Sequence, residues 1–151
     1  MTVLARRDDG LEIDDDPQRV DVDRTWHLVV EQGYWAVGRT PETVAASIEG
    51  SWVFGVYDGD LQVAFARVVT DRVTFAWICD VIVDEPYRGR GLGHWLMEAV
   101  TSSLTEIGVH RQILATVDAH EVYRDLGFSE LAHPERWMEI DRRPTVSGPP
   151  G

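Results

Sequence analysis

A strand, a glycine-rich turn and a helix succeed one another in residues 81–104, and that succession commits the chain to an α/β fold. Val81, Ile82 and Val83 are an apolar, β-branched run. Arg88, Gly89, Arg90, Gly91, Leu92, Gly93 and His94 follow, and an amphipathic segment starts at Trp95. Glycine reaches positive φ and leaves no Cβ in a ligand's way. The first turn of a helix has free N–H groups and the positive end of the helix dipole. The stretch therefore reads as an anion site, most naturally for phosphate. It is not a dinucleotide G-x-G-x-x-G, because no glycine follows at the third position of that pattern.

Around this stretch the chain of 151 residues has room for one domain with a core. Residues 1–22 are polar and acidic and are expected to form a mobile arm. Residues 25–30 suggest a first strand. Thr40, Pro41 and Glu42 mark a helix start, with Gly50 as its stop. Residues 51–57 and 61–70 flank Asp58-Gly59-Asp60, a hairpin signal, and a further strand is expected over 73–83. After the glycine loop and its helix come a buried strand over 112–117, a short helix over 119–126 and strand-like pieces from Phe128 and over 136–140. Residues 142–151 read as a disordered tail, which leaves a domain over 23–141.

The net charge is -12 and all basic residues are arginine. This disfavours nucleic acid and anionic membrane as partners and mildly favours cationic ligands such as amines, although solubility alone is the preferred reading of the charge. Without lysine, neither Schiff-base chemistry on a lysine nor a P-loop lysine is possible. Cys79 is the sole cysteine, so a disulfide within the chain is excluded and a reducing, cytoplasmic setting is expected. The first residues lack a secretory apolar core, and no run approaches the roughly 20 apolar residues that span a bilayer. No metal-ligand motif is present, so no metal is expected.

Two motifs carry a family resemblance. Residues 88–93 fit R/Q-x-x-G-x-G/A, and Ala119, Tyr123, Gly127 and Phe128 fit A-x-x-x-Y-x-x-x-G-F. In this order, joined by a helix and a strand, they resemble the GNAT superfamily of N-acetyltransferases over roughly residues 24–140. The resemblance implies a mixed central sheet of six to seven strands, helices on both faces, and a V-shaped splay between the fourth and fifth strands. It implies acetyl-coenzyme A as donor and an amine as acceptor. Its coenzyme A pyrophosphate would lie on Arg88, Gly89, Arg90, Gly91, Leu92, Gly93 and His94, with the pantetheine arm along Val81, Ile82 and Val83. Thr116 stands where the family often has asparagine, and Ala119 opens the second motif.

Tyr123 matches the family tyrosine that protonates the departing thiolate, a role that needs a nearby acid. Packing on a short helix is its structural alternative. Asp80, on the strand before Val81, is the candidate base if burial raises its pKa; a structural acceptor is the equal alternative. Glu31 and His27 are alternative bases at the acceptor end, and deprotonation through water needs no base at all. Arg111 stands where protein N-terminal acetylators of the family have a glutamate, so their mechanism is not expected. Tyr34, Trp35 and Trp77 are the expected acceptor-site aromatics. The resulting expectation is acetyl transfer to a small-molecule amine in a ternary complex, with a homodimer as the family's common state. A non-catalytic coenzyme A sensor, and a protein or aminoacyl-tRNA acetyltransferase, are the alternatives.

Overall fold

A computed structural model describes residues 3–144. One six-stranded sheet runs in the order β1 (Val3–Arg6), β2 (Leu11–Asp14), β3 (Trp52–Asp58), β4 (Leu61–Thr70), β5 (Ala76–Val83), β6 (Gln112–Ile113). Neighbours are antiparallel except β5 and β6, which are parallel. The helices are α1 (Val22–Trp26), which runs on as a π-helical turn (His27–Glu31), α2 (Pro41–Glu49), α3 (Leu92–Glu106) and α4 (His120–Asp125).

Period-two alternation in the strands makes two cores. Phe54, Val56, Ala66, Val68 and Ile78 turn to one face, where Leu96, Met97, Val100 and Leu104 of α3 cover them. Val53, Phe65 and Ile82 turn to the other, against Leu28, Val29, Val44 and Ile48 from α1, its π turn and α2. Helices therefore cover both faces of the sheet.

The expected splay is present. β5 and β6 pair only at Ala76 with Gln112 and at Trp77 with Ile113, and then part. These are the strands expected as fourth and fifth; the N-terminal hairpin adds two strands to the count and the helical residues 25–30 remove one. On its other side β5 carries a bulge. Phe65 faces Ile82 but Arg67 faces Cys79, so β5 has one residue more than β4 there. Asp80 takes up that residue with φ 52, in the left-handed region.

Four expectations are corrected. Residues 1–22 are no free arm: residues 3–14 form the β1–β2 hairpin, and Leu11 and Ile13 are buried in the α3-side core. The four-residue alternation Leu-Glu-Ile-Asp was outweighed by acidic composition, whose charges are in fact paired: Arg19 holds Glu12 at 2.9 Å and Asp14 at 3.0 Å. Residues 25–30 are helical rather than a strand, because Asp21 caps the turn by accepting from the Arg24 amide at 3.0 Å. The strand over 112–117 is two residues long and only half-buried. The pieces from Phe128 and over 136–140 form no ladder, and Met138 and Ile140 are exposed. Of the expected tail, residues 145–151 lie outside the described residues.

The α2 start follows the sequence closely. The Thr40 hydroxyl accepts from the Thr43 amide at 3.1 Å, and Pro41 opens the first turn. Removing that cap in Thr40→Ala is expected to lower unfolding free energy by about 1 kcal/mol, read as a reduced urea midpoint at unchanged m-value.

Candidate functional site

The glycine loop is a row of unused donors. Gly89 and Gly91 have φ 81 and 73, and Gly91 is the left-handed N-cap of α3 with no side-chain cap. Among the described residues, no protein group accepts from the amides of Gly89, Arg90, Gly91, Leu92, Gly93 or His94. The first acceptor bond of α3 comes one residue later, from Trp95 N to Gly91 O at 3.0 Å. Unpaired amides at the positive end of a helix 15 residues long make an anion cradle. Nothing would stand in a ligand's way at Gly89 or Gly91, where a Cβ would meet no atom within 4 Å.

The charged side chains of the loop point elsewhere. Arg88 Nε donates to the Val83 carbonyl at 2.9 Å, and its Nη2 reaches Gln32 Oε1 at 3.3 Å. Arg90 lies over the Tyr87 ring, 4.9 Å from its centroid. His94 pairs with Glu98 at 3.5 Å. The loop's anion-binding capacity as it stands is thus mostly backbone. Gln32 also donates to Asp84 Oδ1 at 2.8 Å and accepts from the Glu85 amide at 3.0 Å, so the π turn is tied to the loop's entry. Arg24 pairs with the same Asp84.

Leading into the loop, Val81, Ile82 and Val83 lie on the part of β5 that β6 has left. Their backbone on that side has no strand partner, which suits an extended, amide-bearing ligand arm.

Asp80 is the densest polar node. Its carboxylate, 3% exposed, accepts from Trp35 Nε1 at 2.9 Å, Arg39 Nη1 at 2.8 Å and Arg67 Nε at 2.9 Å. Burial pushes its pKa up, but the Arg39 charge and the Arg67 hydrogen bond outweigh it, and the carboxyl is held below the usual aspartate range. The expectation of a raised pKa is therefore corrected: two guanidinium groups on one carboxylate make it a weak proton acceptor. Through Asp80 the loop that carries Tyr34 and Trp35 is bonded to the bulge of β5.

Tyr123, half-buried on α4, lies edge-on to Phe128 with ring centroids 5.9 Å apart. Among the described residues its hydroxyl has no hydrogen-bond partner. Burial, then the Asp118 charge and Tyr34, push its pKa up, so the phenol stays protonated at neutral pH. Tyr34 is pushed up by burial and by the same Asp118, which places Tyr34, Tyr123 and Asp118 in one neighbourhood. Trp35 is edge-on to Tyr34 at 5.3 Å. Gly33 is required here, since a Cβ would come within 2.5 Å of the Val29 carbonyl and 2.9 Å of the Trp35 ring.

Other expected residues have local employment. His27 Nδ1 pairs with Glu31 at 3.0 Å, both half-exposed. Thr116 Oγ1 accepts from the Ala119 amide at 3.1 Å and so shapes the turn into α4. Trp77 is exposed at the point where β5 and β6 still pair. Burial pushes the Cys79 thiol up to about 11, far from a thiolate nucleophile at neutral pH. Among the described residues no group of three His, Cys, Asp or Glu is placed to hold a metal, and no helix is long and apolar enough to cross a membrane. Gln32, Arg39, Arg67, Asp84 and Asp118 escaped the sequence reading. Their partners are mostly 41 to 60 residues away, beyond any local spacing rule.

The mixed sheet thus opens between its two parallel strands beside an anion cradle at a helix start. Residues 11–128 match the family model described as the acetyltransferase (GNAT) family, and the chain belongs to that family. A Xanthomonas campestris pv. campestris structure, described as a GNAT-family acetyltransferase, is 33% identical with a TM-score of 0.83, covering 91% of this chain and 95% of that one. A Mycobacterium tuberculosis protein in complex with CoA shares the fold at 18% identity and a TM-score of 0.63, covering 89% and 76%. The soybean (Glycine max) histone acetyltransferase TAP1 is 36% identical over 74 residues, 48% of this chain and 31% of the relative. The chain thus spans about a third of the length of that curated relative.

Asp80→Asn is expected to destabilise the fold by about 3 kcal/mol at neutral pH, because it leaves two guanidinium groups around a neutral amide. The folded pKa of Asp80 is depressed, so this stabilisation is present above the ordinary value near 3.8 and is lost as pH falls through the folded value. Urea unfolding of both proteins, at neutral pH and across the acid range below 3.8, should show the gap closing on acidification.

Proposed function

We propose that this chain transfers the acetyl group of acetyl-coenzyme A to a primary amine of a small molecule, by direct attack in a ternary complex. The observation that supports it most is the run of unpaired amides from Gly89 to His94, placed next to the unpaired edge of β5. Family membership supplies the reaction class. The residues present fit the donor: amides for a pyrophosphate, an open strand edge for the pantetheine arm, and no Cβ in the way. When bound, acetyl-coenzyme A supplies an activated acetyl thioester.

The chain's own residues divide the remaining work. Gly89, Arg90, Gly91, Leu92, Gly93 and His94 bind through their amides, and Val81, Ile82 and Val83 align the acyl end along β5. Tyr123, protonated and without a competing partner, donates its proton to the departing sulfur. Asp80 is a positioning residue: it fixes Trp35 and Arg39, and with them Tyr34 at the acceptor side. The acceptor amine loses its proton to solvent, or to the exposed His27–Glu31 pair. No acyl-enzyme forms, since Cys79 is half-buried and its thiol remains protonated. The net charge of -12 favours a cationic acceptor.

A thiol-release screen with acetyl-coenzyme A against small amines, amino acids, aminoglycosides and basic peptides tests this reading. Turnover on small amines is the expected outcome. Turnover on peptides alone would transfer the reading to a protein acceptor, and firm coenzyme A binding without turnover would point to a sensor. In the active reaction, Tyr123→Phe should lower kcat tenfold or more, about the low end for a general acid, with the KM for acetyl-coenzyme A nearly unchanged. An unaltered kcat would remove Tyr123 from the mechanism.

A further inference from the structure

We infer that Arg7, on the N-terminal hairpin, is the brace that holds the glycine loop open for a pyrophosphate; this rests on the acetyl-coenzyme A reading above. The family motif contains no such residue, and Arg7 lies 83 positions from its contact. Arg7 Nη1 donates to the carbonyl of Arg90 at 3.0 Å. Its guanidinium lies over the Trp95 ring, 5.2 Å from the centroid, and its Nη2 pairs with Asp9 at 3.0 Å.

The Arg90 carbonyl is the important contact. A loop can turn successive amides toward a ligand only if its carbonyls turn away from it. A carbonyl that swung back among the donors would repel an anion. Arg90 is flanked by Gly89 and Gly91, both at positive φ, and glycine offers the chain many other conformations at similar energy. A charge-assisted bond on the outward carbonyl removes much of that freedom. Trp95, in the first turns of α3, gives the guanidinium a second fixed surface, so the brace joins loop and helix.

The hairpin is built to deliver Arg7. Arg7 N donates to Leu11 O at 2.9 Å and Gly10 N to Arg7 O at 3.0 Å, with Gly10 at φ 87 closing the turn. Leu11 and Ile13 anchor β2 in the core beneath α3. Asp9 orients the guanidinium and offsets part of its charge, which suits a brace better than a direct phosphate ligand. Tyr87, which Arg90 covers, donates to Asp58 at 2.7 Å, and Asp58 pairs with Leu11 across the sheet, so a second hold on the loop comes from the strand next to the hairpin.

The test compares two probes: coenzyme A, and pantetheine, which lacks the pyrophosphate together with the 3′-phosphoadenosine beyond it. Calorimetry with the wild-type chain comes first, and absence of coenzyme A binding there would refute the underlying reading rather than the brace. If wild type binds, Arg7→Ala is expected to weaken coenzyme A about tenfold, the scale of one charge-assisted hydrogen bond, while pantetheine affinity moves by less than about twofold. Arg7→Lys, which retains a donor for the carbonyl, should recover part of the loss. In turnover the Arg7→Ala defect should fall on the KM for acetyl-coenzyme A. Equal weakening of both probes, or unchanged coenzyme A affinity in a folded Arg7→Ala protein, would overturn the brace. Should Arg7→Ala melt far below wild type, Arg7→Lys and Asp9→Asn carry the same comparison; no selective effect on coenzyme A in either would also overturn it.

Discussion

Three donors on one buried carboxylate tie the bulge of β5 to the loop that carries Tyr34 and Trp35. Asp80 occupies the extra residue of a bulge, in a backbone conformation that costs a non-glycine residue on the order of 1 kcal/mol or more. Arg67 on the neighbouring strand and Arg39 and Trp35 on the aromatic loop hold it there. A carboxylate this buried is stable only if paired and hydrogen-bonded, and a bulge this strained persists only if its surroundings fix it. Each condition meets the other's need. The consequence is that the bulge, the aromatic loop and the ordered edge of β5 move as one body.

A second polar knot, around Gln32 and Asp84, does the same at the donor end. Gln32 closes on Asp84, Glu85 and Arg88, all within the segment that leads from β5 into the glycine loop. Both knots take one partner from residues 31–39 and one from β5 or its exit. The segment that joins the π turn to α2 therefore spans from the anion cradle to Asp80.

Much of this was legible in the chain because its signals are local. The cap at Thr40, the Asp58-Gly59-Asp60 turn and the succession from Val81 to His94 each depend on neighbours within a few residues, and each appears in the structure where the pattern places it. The misreadings share one cause, namely that charge masks what lies beside it. Acids in residues 8–16 suggested a solvated arm and concealed Leu11 and Ile13, whose burial needs only a four-residue alternation. The same pairing problem led to a raised pKa for Asp80. Burial alone argues for that, and only the distant arginines Arg39 and Arg67 reverse it. Valines at 29 and 30 suggested a strand, but β propensity is weak beside a capped turn whose apolar side meets Phe65 and Ile82.

Donor and acceptor ends differ in how a sequence can encode them. The anion cradle is made of backbone amides, and amides are exposed by glycines at fixed local spacing, so a short motif is enough. A cluster of side chains is gathered by the fold from separate places: Tyr34 from the aromatic loop, Asp118 from the turn after β6, and Tyr123 from α4. No spacing rule joins Tyr34 to the other two, and burial, more than the Asp118 charge, pushes both phenols up. The brace at Arg7 lies between these cases. The glycines that give the loop its donors also leave it too free to hold them in place. That deficit is visible in the motif itself, while the residue that meets it comes from a hairpin outside the motif.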